Sequence, residues 1–358
     1  MEVLQRTREL LRSLQSSPTR PPVAATIADD QVIGGNGPGV PFEPDAHYFQ
    51  VRVNEMFLAS SRQWFARFDP MVLVVSEFIY DKSVRAVPMV VGPSLLAKYG
   101  QKLPSGMILA DTRVAGLHPY KGGRLNVAVV LSQVQTVNYA RELLKVVESA
   151  AGVGLATGLG VYLNLTGVVL DGLEALLGVE ATSPVMGFRK EFDPSAGDRF
   201  APSWFALIDQ PEGALDPATL WVRNGRLHVG DAADSAKPFR DADFVLYSIG
   251  QDAETTELRT LPFYPLWERV VDAATKATNA DGDPNWESAR ADMRSLYQTL
   301  TLSPDLTSEQ AAALTDRYIT QAQALRARGQ KITDMDADEP AEDAEARRVR
   351  SQIGSILA

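Results

Sequence analysis

The stretch from Ser149 to Leu170, SAAGVGLATGLGVYLNLTGVVL, runs 22 residues without one charged side chain. A run of that kind has to leave water, in the protein's own core, between subunits or in a bilayer. Its length matches the roughly 20 residues that cross a bilayer as a helix. Gly154 and Gly158 form a GxxxG pair, a spacing that lets two helices approach closely. The same segment is rich in glycine and carries Asn164 and two threonines. Each glycine costs about 1 kcal/mol against alanine in a water-exposed helix, so the apolar gain per residue is modest. Asp171 and Glu174 follow directly, and Leu173, Leu176 and Leu177 extend an amphipathic pattern to Gly178. Three readings of 149–178 result: a buried helical hairpin, a helix interface between subunits, or a segment masked until it enters a membrane. Gly154, Gly158, Val161, Leu173 and Leu177 are the residues on which an interface or membrane role would rest.

On either side of this segment the chain reads as strands. Phe49, Val51 and Val53 alternate with Gln50, Arg52 and Asn54, the period of a half-buried strand. Met71–Tyr80 is apolar and β-branched, Asp81-Lys82-Ser83 punctuates it, and Val84–Val91 follows, which predicts a hairpin. Leu125, Val127, Val129 and Leu131 make another strand, and more are expected over 185–192, 203–209 and 243–249. Within LWVRNGRLHV, Asn224-Gly225 tolerates the positive φ angles of a type I′ turn, so 220–229 should be a tight hairpin.

The expected class is α+β: a mainly antiparallel β-sandwich interrupted by an apolar helical insert, with a helical C-terminal region. We divide the chain into an N-terminal amphipathic helix with a Pro/Gly-rich linker (1–40), a β-rich block (41–136) and the apolar helical insert (137–182). A second β-rich block (183–262), a helical region (263–330) and an acidic linker with a terminal helix (331–358) complete it.

The two ends carry amphipathic patterns. Val3, Leu4, Leu10, Leu11 and Leu14 share one broad face over 2–15. Glu2, Arg6, Arg8, Glu9 and Arg12 interrupt the run, unlike the apolar stretch of a secretory leader. Trp267, Val270, Val271 and Ala274 make a helical stripe, and Trp286 to Leu300 is a second helix. Thr307 and Gln310 fit a capping box before a helix that Gly329 is placed to end. Asp334 to Glu345 holds seven acids and no base, and in ARRVRSQIGSILA after it Val349, Ile353 and Ile356 keep helical spacing.

Chemical motifs are scarce. With no cysteine, the chain has no disulfide, Cys-ligated zinc, iron–sulfur cluster or thiol nucleophile, and a cytoplasmic setting fits. A net charge of −10 without a basic footprint argues against nucleic acid as a partner. Neither GxxxxGK[ST] nor GxSxG occurs. The acidic run 279–285 lacks the Gly and Glu positions of a calcium loop, so no metal or cofactor is expected. One loop, HPYKGG, combines with Asp111, Arg113, His118 and Lys121 into a group that could host acid–base chemistry. An ordinary turn built on Pro119 and two glycines is the simpler reading of the same residues.

The expected function is therefore a non-enzymatic interaction, scaffold or assembly protein of the cytoplasm, with protein partners or self-assembly. Two alternatives stand beside it. One is a membrane-active effector that exposes 149–178 on activation. The other is a cofactor-independent enzyme with a site around His118.

Overall fold

The computed structural model describes residues 2–16, 21–34, 39–59, 62–63, 66–92, 107–135, 138–153, 159–178 and 182–337. Among them are six helices and three mostly antiparallel sheets, an α+β architecture. They divide into two compact units, Met1–Leu261 with Pro304–Ser308, and Pro262–Ser303 with Glu309–Ala358.

The first unit begins with helix α1 (Glu2–Ser16) and strands β1 (Val23–Ile27), β2 (Val32–Ile33), β3 (Tyr48–Phe57) and β4 (Arg62–Gln63). Then come β5 (Ala66–Tyr80), β6 (Ser83–Val91), β7 (Met107–Pro119), β8 (Leu125–Gln135), α2 (Asn138–Val153) and α3 (Leu159–Leu177). The remaining strands are β9 (Thr182–Phe192), β10 (Ser203–Ile208), β11 (Leu220–Arg223), β12 (Arg226–Val229), β13 (Lys237–Pro238) and β14 (Phe244–Asp252). One sheet has the antiparallel order β1-β10-β14-β3-β7. A second sets β6, β5, β8 and β9 side by side, with β4 paired to β5. The small third sheet runs β13-β12-β11-β2 and includes the parallel pair β11–β2. Asn224 and Gly225 take φ of 51° and 70° between β11 and β12, the left-handed pair that a two-residue hairpin turn requires.

Both large sheets feed one core. Val51, Val53 and Tyr247 from the first sheet join Val74, Val127 and Val129 from the second in a single buried cluster. Leu10, Leu11 and Leu14 of α1, Val147 of α2, and Val169, Leu170 and Leu173 of α3 belong to it too. The helix over 2–15 therefore spends its apolar face inside its own unit, although Val3, assigned to that face by sequence, is exposed. Arg8 of α1 reaches the Glu77 carboxylate at 3.0 Å, and Arg6 reaches Asp171 at 2.7 Å. The insert helices also approach closely, since a Cβ on Gly172 would stand 2.6 Å from Val147 Cγ2. Gly172 thus does the work expected of a GxxxG glycine. Gly154 and Gly158 themselves lie outside the described residues.

A bulge in β3 sorts the side chains of the first sheet. Tyr247 pairs with Val53 and Leu246 with Glu55, which leaves Asn54 as the extra residue. Strict alternation would put Glu55 on the face of Val53. The extra residue turns Glu55 to the opposite face, where Ala206, Phe244, Leu246 and Leu227 of the small sheet form a second cluster.

The second unit holds α4 (Tyr264–Lys276), α5 (Pro284–Thr301) and all of α6 (Ser308–Ala337) beyond its first residue. Trp267 of α4 stacks on Tyr318 of α6 with ring centroids 4.1 Å apart. Asp283 caps α5, accepting from the backbone N–H groups of Asn285 and Trp286 and from the Thr278 hydroxyl. The Thr278 bond, followed by the backbone donors, holds the Asp283 carboxyl down to about 2.

One boundary differs from the sequence reading. Gly329 does not end the last helix, which continues to Ala337. Its role is close approach: a Cβ there would overlap the Thr275 carbonyl oxygen at the end of α4. Alanine is about 1 kcal/mol better than glycine inside a helix, so propensity alone predicts that Gly329→Ala stabilises. Because backbone atoms yield poorly, we expect the opposite sign, a loss of about 1–3 kcal/mol, read as a lower denaturation midpoint.

Candidate binding surfaces

The structure does not assemble the acid–base group that the sequence suggested. His118 is not in a loop; it closes β7 and pairs with Phe49 of β3. Its imidazole stacks on Phe78 with centroids 4.9 Å apart and meets the edge of Phe49 at 5.8 Å. Burial, reinforced by the nearby Arg113 charge, pushes its pKa down to about 3. Arg113 pairs with Glu257 at 2.6 Å, and Lys121 binds Asp45 at 2.6 Å and the Leu306 carbonyl at 2.7 Å. Asp111 is described only as backbone within β7. Each described charge is thus held by a structural partner, and the imidazole is neutral.

That burial has a pH signature. An unfolded histidine titrates near 6.5, so the folded state, with its lowered pKa, loses stability as pH falls below that value. Between neutrality and pH 5 the loss from His118 should be about 2 kcal/mol. His118→Phe keeps a ring in the aromatic cluster and should remove this slope from denaturation curves at pH 7 and pH 5. A histidine that titrated freely in a cleft would leave the slope unchanged.

Leu173 and Leu177, the described interface candidates with side chains, pack in the first unit: Leu173 has 0% exposure and Leu177 lies against the same cluster. Val161 is described as backbone of α3 only. Among the described residues, no helix is long and apolar enough to cross a membrane.

Two concave surfaces emerge instead, one in each unit. In the first unit, the face of the β1-β10-β14-β3-β7 sheet that meets the small sheet is only partly covered. Beyond that cover lies a cleft of ≈ 570 Å³. Trp204, Ser248, Gly250, Asp252 and Gln50 line its floor, and Asp29, Val32 and Val40 line its rim. Strand pairing sets this floor, with Trp204 opposite Ser248 and Gly250 opposite Gln50. Gln50 donates from Nε2 to Asp252 Oδ2 at 2.8 Å and accepts from Arg52 at 3.1 Å. Burial pushes the Asp252 carboxyl up, opposed by the Gln50 bond and the Arg52 and Arg113 charges. Gln251 follows the alternation to the other face, where its Nε2 is buried without a partner.

In the second unit, α5 and α6 border a groove of ≈ 280 Å³. Trp286, Met293, Ile319 and Ala322 supply apolar lining, and Arg290 and Arg294 supply positive charge. Ile319 is 40% exposed, and the Arg326 guanidinium lies 4.5 Å over the Trp286 ring. Arg290 and Met293 are three residues apart and Arg294 four from Arg290, so helical geometry puts them on one face.

Sequence reading identified neither surface. The cleft had a usable signal: Ser248, Gly250 and Asp252 alternate with Tyr247, Ile249 and Gln251, marking a strand with one polar face. Compared with protein-family models, curated proteins and solved structures, the chain matches none of them.

Proposed function

We propose that this chain is a non-enzymatic assembly protein of the cytoplasm, in which the groove between α5 and α6 receives the C-terminal segment of a second copy. The supporting observation is complementarity. The groove offers an apolar floor beside Arg290 and Arg294. The chain beyond Ala337 carries Asp338, Glu339, Glu342, Asp343 and Glu345, followed by Val349, Ile353 and Ile356 at helical spacing. An amphipathic segment laid in an apolar groove, with its acids against basic rim residues, is a standard mode of helix recognition. Aromatic, Met and Arg side chains are also those enriched at protein interfaces. In this reading the two large sheets of the first unit form a β-sandwich, a stable body that the assembly repeats.

The test is solution mass by light scattering on the full chain. We expect multiples of the chain mass that rise with concentration and fall with added salt, because the exposed charges are screened. Arg290→Glu with Arg294→Glu should return the protein to single chains, and so should Ile353→Glu. A single chain mass at every concentration for the unaltered protein would refute the reading.

A further inference from the structure

The cleft of the first unit has a polar floor whose charges balance. Alternation along β10 and β14 puts Trp204, Ser248, Gly250 and Asp252 on one face of the sheet, and pairing with β3 adds Gln50 and Arg52 to it. Asp252 accepts from Gln50 Nε2 at 2.8 Å, and Gln50 Oε1 accepts from Arg52 at 3.1 Å. The Asp252 carboxylate is thus joined to a guanidinium through one amide, with the Arg113 charge close by. Asp29 is exposed at the rim, where water and salt screen its charge. Such a floor favours neither an anion nor a cation.

What it offers a ligand is donors and acceptors side by side. The Trp204 indole N–H and the second N–H of Gln50 are open donors. Asp252 Oδ1 is an open acceptor, as is the Ser248 oxygen, whose proton goes to Asn54 Oδ1 at 2.9 Å. A hydroxyl group both donates and accepts, so a ligand with several hydroxyls can satisfy this mixture. Apolar surface lies beside it: Trp204 is half-buried and keeps part of its ring toward the cleft, and Val40 at the rim is 60% exposed. Gly250 pairs with Gln50 and adds no side chain, which leaves room above the centre of the floor. A pyranose carries the matching pattern, hydroxyls around its edge and C–H groups on its faces that pack on an aromatic ring. Trp204 is the one aromatic ring among the described residues that line the cleft, so a planar base would be stacked on one side only. The cleft's ≈ 570 Å³ lies within the usual size of small-molecule sites.

We propose that this cleft binds a neutral saccharide, with a pyranose ring against Trp204 and its hydroxyls on Gln50 and Asp252. The site lies in the first unit and does not depend on assembly through the groove of the second. The test is calorimetric titration of the full chain with glucose, galactose, mannose, N-acetylglucosamine, maltose and cellobiose. At least one should saturate at one site per chain, with a dissociation constant of about 1 mM or tighter. Tetrahydropyran-2-methanol, which has the ring without its hydroxyls, should not bind, because a site built to bond hydroxyls rejects the analogue that lacks them. Asp252→Asn, which preserves shape, should weaken binding about tenfold. Trp204→Phe, which keeps a ring to pack on and loses the indole N–H, should bind more weakly but measurably. Absence of saturation by every one of these saccharides below about 10 mM would overturn the proposal. So would equal binding of the hydroxyl-free ring, unchanged affinity in both variants, or tighter binding of adenine than of any saccharide, which would make a planar base the ligand.

Discussion

Glu55→Ala should lower the unfolding free energy of the first unit by about 3–5 kcal/mol, the largest single-residue effect expected in this chain. Glu55 has 0% exposure, yet its carboxylate accepts from Leu227 N–H and from Arg240, each at 2.8 Å. Burial holds the carboxyl above its ordinary range even against these partners. Arg240 in turn lies 5.0 Å over the Phe57 ring and 5.8 Å over Phe244. Removing the carboxylate takes the acceptor from the buried Leu227 N–H and one partner from the largely covered Arg240 guanidinium, which still donates to the Phe239 carbonyl. The cost comes from desolvated groups that lose a bond more than from the pair's intrinsic worth. The double variant Glu55→Leu with Arg240→Met should therefore recover most of the loss, because it removes both charges and keeps apolar volume. Urea denaturation of the three variants checks this. A double variant as unstable as Glu55→Ala would show that the ion pair itself, not the desolvation of its members, carries the stability.

Leu173→Ala should cost about 2–5 kcal/mol. The side chain has 0% exposure and packs in the cluster shared by both large sheets and α1. Deleting it forfeits buried apolar area and leaves a cavity that neighbouring strands cannot fill. The size of the effect also separates the readings of the uncharged segment. A leucine reserved for a membrane or a subunit partner could be truncated with little loss of monomer stability. A core leucine cannot, and the midpoint of chemical denaturation should drop without a change in slope.

Much of the architecture was legible because local patterns are strong where one face is buried. The alternation of Phe49, Val51 and Val53, the Asn224-Gly225 turn and the Trp267, Val270, Ala274 stripe each map onto a strand, a hairpin and a helix. The register change in β3 was not legible: Phe49, Val51 and Val53 predict an uninterrupted alternation, and the bulge that turns Glu55 to the other face shows only in the pairing with β14. Gly329 misled because a glycine at a helix end and one under a crossing backbone look alike in sequence. His118 misled because Pro119 and two glycines after it suggested a loop, while long-range pairing with Phe49 extended β7 through it. For the cleft the sequence carried only the polar alternation of Ser248, Gly250 and Asp252, and for the groove no signal of a site. Each is made by residues distant in sequence, such as Asp29 with Asp252 or Met293 with Ile319, and only tertiary pairing brings them together.

Assembly through the groove is tested most directly by complementation between two defective chains. One carries Arg290→Glu and Arg294→Glu, which spoil the groove and keep the C-terminal segment. The other carries Ile353→Glu, which spoils the segment and keeps the groove. Light scattering should find each alone as single chains. An equimolar mixture should regain a species of twice the chain mass, since one intact groove can still receive one intact segment. A mixture that stays at single-chain mass, while the unaltered protein assembles, would place the contact elsewhere on the molecule.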